Sequence, residues 1–380
     1  MRYKVSDIAD IINVSIKNPS TSGIDVFVGL EHYDVGEPVI TRYGSTEMLT
    51  TTVKGFQSGD ILLARRNVYL RRAGKVDFDG VTSGDSIVIR VKEDLSHFDE
   101  CDSSLMKSLL PFILNTNAFW DYANTNSDGT MSKRLSPQML LDYEFDLPEI
   151  EEQRVLAEKL WAAYRLKESY KKLLAATQEM VKSQFIEEIG DPRTNPKNWP
   201  IKKLSELSTY SIGLTYKPED VSEDGIIVLR SGNIQESKLT LTDTVRVNCQ
   251  IKESLYVKED DILMCSRNGS AALVGKVAQI KSVNEPMTYG AFMTIIRSEY
   301  SDYLFLYFQS NAFREQVSTG KSSTMNQITQ KMLDKICLPF PDEDTRKKLS
   351  AILHQADKSE FELRKSIESI DAVIKSLINS

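Results

Sequence analysis

Two short stretches of the chain combine arginine, asparagine and lysine, the side chains best suited to contact nucleic acid. The first, RRNVYLRRAGK at 65–75, carries no acidic residue, and neither does the stretch between Asp261 and Glu285. Arginine and asparagine can each pair two hydrogen bonds with a guanine or adenine edge, and lysine suits phosphate. We therefore predict DNA contacts by Arg65, Arg66, Asn67, Arg71, Arg72, Lys75, Arg267, Asn268 and Lys276. The alternative is a solvated loop whose charges repel one another.

Two loops of small polar residues could add phosphate contacts. They read SDGTMSKR at 127–134 and TGKSSTMN at 319–326, and glycine lets the backbone approach a phosphate closely. The predicted contacts are Thr130, Lys133, Arg134, Lys321, Ser322, Ser323 and Thr324. The alternative is an N-cap loop before helices near Pro137 and Gln330, and capping is expected in either case.

Catalytic signatures are missing from the sequence. Only 3 histidines occur, and we find no nucleophile elbow, no Walker A loop and no Gly-x-Gly-x-x-Gly. An adenine methyltransferase should carry Asn/Asp-Pro-Pro-Tyr/Phe, whereas Asn195-Pro196 is followed by Lys197. The 4 cysteines lack metal spacing. We predict a non-catalytic chain that holds neither metal nor cofactor.

Composition sets limits on the class of protein. A net charge of −7 argues against a protein that coats nucleic acid indiscriminately, although local basic patches remain compatible with it. No apolar run approaches membrane length, and the N-terminus lacks the pattern of a signal peptide. We predict no membrane association and a cytoplasmic location.

The chain repeats itself. DILLARRN at 60–67 returns as DILMCSRN at 261–268, and similar pairs follow in the same order. We align GKV at 74–76 with 275–277, NAF at 117–119 with 311–313, and Leu147-Pro148 with Leu338-Pro339. Each copy is far too long for a solenoid unit, so we predict a tandem duplication of a domain-sized module.

Each copy ends in a long helical pattern with an apolar seam. The predicted helices run from about 151 to 189, ended by Gly190-Asp191-Pro192, and from about 343 to 379. A Pro-rich stretch, 191–200, is predicted to be an extended connector. The seam residues are predicted to be Leu156, Leu160, Leu174, Leu349, Leu353, Leu363, Ile367, Ile370 and Ile374. We expect the two helices to pack on each other; the alternative is that each packs only on its own domain.

The predicted fold class is α+β: two mixed α/β domains joined by two long helices that form an antiparallel coiled coil. The domains are placed at 1–148 and 191–340, and the helical regions at 149–190 and 341–380. Apolar runs at 61–63, 86–89 and 226–229 predict strands, and helical periods occur at 105–120 and 303–317.

The chain resembles the specificity subunit of type I restriction–modification systems. The resemblance covers both copies and is carried by LPEIEEQRVLAEKL at 147–160, GDPRTNPKNWPIKKLSEL at 190–207 and DILMCSRNG at 261–269. One difference from an exact repeat is Thr345, which we align with Gln153.

The resemblance implies a function and a set of partners. Each globular domain would be a target recognition domain that reads one half of a bipartite, asymmetric double-stranded DNA site. The helices would hold the two domains and dock two methyltransferase subunits, which bind S-adenosylmethionine, while restriction subunits use ATP and Mg. Two alternatives remain open: a coiled-coil scaffold without a DNA role, and a divergent methyltransferase.

Overall fold

The chain divides into two units, and the computed structural model describes residues 2–98, 101–129, 132–318 and 326–379 of it. Unit 1 contains residues 1–171 and 365–380, and unit 2 contains residues 172–364. Both units mix helices with sheets, as the sequence predicts.

Unit 1 is built around two β-sheets. Its strands are β1 Arg2–Lys4, β2 Ala9–Ile12, β3 Val14–Ile16, β4 Val26–Val28, β5 Gly44–Ser45, β6 Val53–Phe56, β7 Ile61–Ala64, β8 Ala73–Lys75, β9 Gly80–Thr82, β10 Ser86–Val91, β11 Ser127–Asp128, β12 Arg134–Leu135 and β13 Glu144–Asp146. Its helices are α1 Val5–Ile8, α2 Ser103–Ile113, α3 Asn117–Thr125, α4 Pro137–Leu141 and the first part of α5 Ile150–Ile189. The larger sheets have the strand orders β2-β10-β7-β8 and β3-β6-β9-β4-β5.

Unit 2 has a related arrangement. Its strands are β14 Ile201–Lys203, β15 Thr209–Ile212, β16 Val221–Leu229, β17 Ile234–Gln235, β18 Lys238–Leu239, β19 Val245–Val247, β20 Ile262–Cys265, β21 Val277–Gln279, β22 Met287–Tyr289, β23 Met293–Arg297 and β24 Cys337–Pro339. Its helices are α6 Leu204–Leu207, α7 Ser301–Phe308, α8 Asn311–Ser318, α9 Gln330–Leu333 and the first part of α10 Glu343–Asn379. The order β15-β23-β20-β21 repeats the β2-β10-β7-β8 order of unit 1.

The predicted strands at 61–63, 86–89 and 226–229 are confirmed, and their side chains form the centre of each unit. Strands β7 and β20, which carry the repeated octapeptides, are buried along their whole length. Such continuous apolar runs are typical of strands that are covered on both faces. The two helical periods at 105–120 and 303–317 are each divided into two helices, α2 with α3 and α7 with α8. Helices α3 and α8 begin at Asn117 and Asn311, the residues that the NAF alignment pairs.

The two long helices are observed within two residues of their predicted bounds, and they pack together in each unit. In unit 1, Ile370 and Ile374 of α10 join the core that contains Leu156 and Leu160 of α5. In unit 2, Leu349 and Leu353 join the core that contains Val181 and Phe185. Lys348 near the start of α10 pairs with Glu188 near the end of α5, at 2.6 Å. Farther along α10 in the same unit, Glu360 accepts a hydrogen bond from Gln178 of α5, so the helices run antiparallel, as predicted. In unit 1, Asp371 of α10 pairs with Lys167 of α5.

The remaining seam residues are less buried than the heptad pattern predicts. Leu174, Leu363 and Ile367 are half-buried. Between the two apolar ends of the seam the buried positions are polar, at Lys167 and Glu360.

The segment after α5 is folded into turns, so the predicted extended connector is wrong. Gly190 ends the helix with φ +79°, and a Cβ there would lie 2.5 Å from Pro196. The last carbonyl groups of a helix lack intrahelical donors. Here Lys197 Nζ donates to the carbonyl groups of Glu187 and Glu188, and Trp199 Nε1 donates to that of Ile189. These bonds fold residues 191–199 back onto the helix end.

None of the helices in the described residues is long and apolar enough to cross a membrane. The four cysteines are free thiols. The same described residues contain no group of three or more His, Cys, Asp or Glu side chains arranged to hold a metal ion.

Candidate nucleic-acid interface

A buried aspartate anchors the start of each repeated octapeptide. Asp60 is 1% exposed and accepts hydrogen bonds from Arg90 Nε and Nη2 at 2.7 and 2.8 Å. Asp261 is equally buried and accepts two bonds of 2.6 Å from Arg297. Buried charges require such pairing. The same ion pair thus holds β7 to β10 and β20 to β23, and fixes where each strand delivers the residues that follow it.

In unit 1 those residues are Arg65, Arg66 and Asn67, and the fold joins them to the polar loop before α4. Leu135 N–H donates to the Arg65 carbonyl at 2.9 Å, and Asn67 N–H donates to the Lys133 carbonyl at 2.8 Å. Asn67 has φ 55°, a left-handed conformation that asparagine adopts more readily than most residues. The basic stretch at 65–75 and the end of the polar loop at 127–134, which the sequence singled out separately, therefore meet in one small ladder.

Unit 2 forms the same ladder with different side chains. Ile328 N–H donates to the Ser266 carbonyl at 2.8 Å, and Arg267 forms a β-bridge with Gln327. The equivalent bridge in unit 1 joins Arg66 to Arg134. Arg66 and Arg267 are both exposed, and each follows the buried central strand of its unit.

A carboxylate from another part of the chain lies beside the basic ladder of unit 1, whose own sequence at 65–75 has no acidic residue. Asp85, just before β10, lies 3.6 Å from Arg66 and 3.5 Å from Arg134. In unit 2 the equivalent position, just before β23, holds Phe292, which is 57% exposed. The Arg267 guanidinium lies over this ring at 5.7 Å, and its Nε and Nη2 donate to Gln327 Oε1 at 3.1 and 2.6 Å. Exposed contacts of these kinds are weak, roughly 0–1 kcal/mol each, so DNA could replace them.

The side chains of both octapeptide asparagines also form hydrogen bonds inside the protein. Ser132 Oγ donates to Asn67 Oδ1 at 3.2 Å. Asn268 Nδ2 donates to Ser231 Oγ at 3.1 Å, and its Oδ1 accepts from Ser270 N–H at 2.9 Å. The Asn268 amide therefore shapes its own loop, and adenine readout by it stays a prediction.

The other predicted basic residues of unit 1 have partners inside the protein. Arg71 Nη1 donates to Asn117 Oδ1 at 2.8 Å, and Lys75 pairs with Asp77 at 2.8 Å. Lys133 Nζ donates to the Asn124 carbonyl at 2.9 Å. DNA contact by these three residues stays a prediction, and each contact would compete with these bonds.

Arg72 and Arg65 lie deeper in the loop. Arg72 donates to the carbonyl groups of Leu30 and Arg66 at 2.9 and 3.2 Å, and burial lowers the pKa of its guanidinium. Arg72 therefore supports the backbone that presents Arg66. The Nε of Arg65 is buried and has no hydrogen-bond partner among the described residues. Burial and the nearby positive charge of Arg65 together lower the pKa of Lys54.

The alignment of Gly74-Lys75-Val76 with Gly275-Lys276-Val277 is wrong by three residues. Ile61 of β7 pairs with Lys75, whereas the equivalent Ile262 of β20 pairs with Gln279. Ala64 N–H donates to the Arg72 carbonyl, and Cys265 N–H donates to that of Lys276. Lys276 is thus the counterpart of Arg72, although its side chain is exposed.

The alignment after the second domain also shifts. Gln153 donates to the Pro148 carbonyl, and Arg346 donates to the Pro341 carbonyl, five residues earlier in both cases. The counterpart of Gln153 is therefore Arg346 and not Thr345, and that of Pro148 is Pro341, so the alignment of Leu147-Pro148 with Leu338-Pro339 is wrong by two residues. Helices α5 and α10 start at Ile150 and Glu343, which gives the same offset of 193 residues.

Part of the polar-loop prediction lies outside the described residues, namely Thr130, Lys321, Ser322, Ser323 and Thr324. The capping that was expected alongside phosphate contact is confirmed. Ser136 Oγ accepts from Met139 N–H at the start of α4, and Thr329 Oγ1 accepts from Met332 N–H at the start of α9.

Residues 196–370 match the family model described as the type I restriction modification DNA specificity domain. This stretch, a little under half of the chain, is therefore similar to that DNA specificity domain. It is 30% identical over 182 residues to the EcoKI specificity subunit of Escherichia coli K12, a match that covers 44% of this chain and 39% of that protein. It is 29% identical over 193 residues to the StySPI specificity subunit of Salmonella potsdam, covering 47% and 41%. The chain thus spans about two fifths of the length of these curated relatives.

Two solved structures share the fold of this chain. A type I restriction–modification S subunit from M. genitalium aligns with 100% of this chain and 94% of its own, at a TM-score of 0.52 and 13% identity. A chain from a structural study of complex assembly and conformational transition of the type I R-M system aligns over 100% and 96%, at a TM-score of 0.53 and 17% identity. At such low identity the likeness supports the fold alone.

Sequence reasoning missed two residues at the interface, Asp85 and Phe292. They precede equivalent strands and lie beside Arg66 and Arg267 respectively. An acid and an aromatic ring at one aligned position leave no pattern in the sequence, and only the strand pairing brings them to the basic loops.

Proposed function

We propose that the chain is the non-catalytic, sequence-recognising subunit of a type I restriction–modification complex. Its proposed target recognition domains are residues 1–148 and 191–340, each reading one half of a bipartite, asymmetric site on double-stranded DNA. The observation that carries the proposal is the repeated loop, in which an exposed arginine follows a buried strand and is bridged to a second polar segment. Arginine in this position can bind guanine through paired hydrogen bonds.

The difference between the two loops supports an asymmetric target. Arg66 shares its surroundings with Arg134 and Asp85, whereas Arg267 is flanked by Gln327 and Phe292. The unit 1 loop combines two arginines with a carboxylate, and the unit 2 loop combines one arginine with an amide and an aromatic ring. The two loops therefore present different donors and acceptors to DNA. Base readout depends on such patterns, so we propose that the two domains prefer different half-sites.

The proposed protein partners are two methyltransferase subunits and the restriction subunits, docked on the long helices at 149–190 and 341–380. Exposed apolar side chains recur along α5, with Leu166, Leu173 and Met180 at seven-residue spacing and 42–51% exposed. Large exposed apolar side chains on one helix are typical of a protein-binding face. We propose that S-adenosylmethionine binds the methyltransferase partner, that ATP and Mg serve the restriction partner, and that the complex works on DNA in the cytoplasm.

A gel-shift comparison tests the division of labour between the subunits. The net charge of −7 supports weak DNA affinity for the lone chain, with the methyltransferase subunits completing the DNA clamp. We expect the assembled complex to bind its site much more tightly than the lone chain does, and both affinities to fall steeply as salt increases. Equal affinities for the lone chain and the complex would refute the proposed clamp. Replacing Leu173 with arginine should prevent assembly while leaving the melting temperature of the chain unchanged, because this side chain is exposed.

A further inference from the structure

One polar residue is buried at the same position of each long helix. Lys167 of α5 is 6% exposed and Glu360 of α10 is 5% exposed. They are 193 residues apart, the offset that separates the starts of the two helices. The duplication has therefore placed opposite charges at equivalent buried sites.

In unit 1 the helix provides the cation and the globular domain provides the anion. Lys167 Nζ lies 2.6 Å from Glu37 Oε1, and the Glu37 side chain is only 14% exposed. Lys167 also pairs with Asp371 of α10. Burial alone would raise the pKa of Glu37, but hydrogen bonds and positive charges from Lys167 and Lys171 outweigh this effect and lower it. Glu37 is thus held as an anion against the helix.

In unit 2 the signs are reversed. Glu360 Oε2 lies 2.8 Å from Nζ of Lys238, the first residue of β18, and Lys238 is also 3.5 Å from Asp357. Gln178 of α5 donates to the same Glu360 oxygen at 3.4 Å. Gln178 and Asp371 are again 193 residues apart, so each buried residue meets the equivalent position of the opposite helix. The helix now provides the anion and the globular domain the cation.

The reversal is local to this position. One turn further along, Lys171 and Arg364 are also 193 residues apart, and both are cations paired with a glutamate of their own domain. Lys171 contacts Glu37 at 2.9 Å, and Arg364 contacts Glu236 at 2.6 Å. The two helix surfaces therefore share one ion pair and differ in sign at the buried one.

We propose that these two reversed ion pairs act as a docking code that lets each target recognition domain bind only its own helix surface. A domain carrying Glu37 fits a surface with Lys167, whereas on the other surface it would leave the buried Glu360 without the cation that Lys238 provides. A domain carrying Lys238 fits Glu360 and is repelled by Lys167. Breaking a buried pair leaves an uncompensated charge, which is far more costly than losing an exposed pair. The code fixes the order of the two domains along the chain, whatever ligand they read.

A charge graft in the full chain tests the code within one unit. Lys238→Glu should lower the melting temperature by about 10 °C, because it faces Glu360 and Asp357 with another carboxylate. The triple variant Gln178→Asp/Lys238→Glu/Glu360→Lys gives this set the charges of Asp371, Glu37 and Lys167 in unit 1, and should recover most of that loss. Lys331→Glu, at an exposed position of the same unit, is the matched control and should change the melting temperature little. A triple variant no more stable than Lys238→Glu would overturn the proposal.

Exchanging the two domains in the full-length chain tests the code as a whole. With native charges the exchanged chain should give little soluble protein and should lose at least the 10 °C expected for a broken buried pair. Adding Lys167→Glu and Glu360→Lys to the helices of the exchanged chain should restore solubility and most of the melting temperature, because Glu37 and Glu236 can then still pair with Arg364 and Lys171. An exchanged chain as stable as the parent, or one that the two substitutions fail to improve, would contradict the code.

Discussion

Replacing Arg267 with alanine should relax DNA recognition in one half of the target only. Arg267 is exposed and follows the buried strand β20, with Gln327 and Phe292 as its neighbours. To bind a guanine it must give up or share the bonds to Gln327, which are weak because they are exposed to solvent. Removing the side chain therefore takes away a proposed base contact and leaves the folded chain almost as stable as before.

The expected size of the effect follows from these contacts. Loss of a bidentate arginine–guanine contact costs about 1–3 kcal/mol of discrimination, or about 5- to 150-fold in the preference for the right base. Exposed substitutions away from special structural features change stability by less than about 0.5 kcal/mol. A phosphate contact would act differently, because it would weaken all sequences equally and reduce the dependence of log K on log salt by about 0.9.

The assay is competition binding of the assembled complex to a library randomised in both half-sites. Arg66→Ala is the matched control, since it removes the equivalent exposed arginine from unit 1 and should relax the other half-site. Unfolding curves of both variants check that the chain is intact. If Arg267→Ala relaxes both half-sites together, or weakens all sequences uniformly, direct base readout by Arg267 is refuted.

Three further predictions concern the anchors of the fold and the charges at the interface. Asp261→Ala should destabilise unit 2 by about 3 kcal/mol, measured by denaturant unfolding, because Arg297 loses its buried partner; a loss below about 1 kcal/mol would contradict this. The pKa of Glu37 is lowered from 4.5 in the folded chain. The stability that its ionised carboxylate adds to the folded chain is therefore complete above that pH and is lost as the pH falls below it. The melting temperature of Lys167→Met should therefore depend less on pH in that acid range than that of the parent, and equal pH profiles would contradict the role of the pair. Asp85→Asn should raise DNA affinity severalfold without changing base preference, because it frees the neighbouring arginines for phosphate; an unchanged affinity in filter binding would argue against phosphate contact there.

The sequence predicts the long helices and the duplication well because both depend on local or periodic patterns. The apolar seam and Gly190 locate α5 and α10 to within two residues. The repeated octapeptides locate the central strands β7 and β20, since a short buried run between turns favours a strand.

Strand register and long-range contacts are harder to predict. The GKV match is short, and the true pairing of Lys75 with Ile61 and of Gln279 with Ile262 differs from it by three residues. The position of Asp85 beside Arg66 depends on strand order, which local sequence does not encode. The apolar seam is also interrupted at Lys167, a position for which the sequence analysis makes no prediction and where a buried ion pair takes the place of an apolar contact. A long charged side chain on a helix is usually exposed, and its partner Glu37 is 130 residues away.

The most direct test of the proposed function is genome-wide mapping of methylated adenines in the source cell, with and without this gene. We predict that one motif disappears when the gene is removed, and that this motif consists of two different specified halves separated by unspecified bases. Restoring the gene with Arg267→Ala should return a motif that is relaxed in one half only. Loss of a single continuous motif, or no change in methylation at all, would contradict two separate domains that each read half of a site.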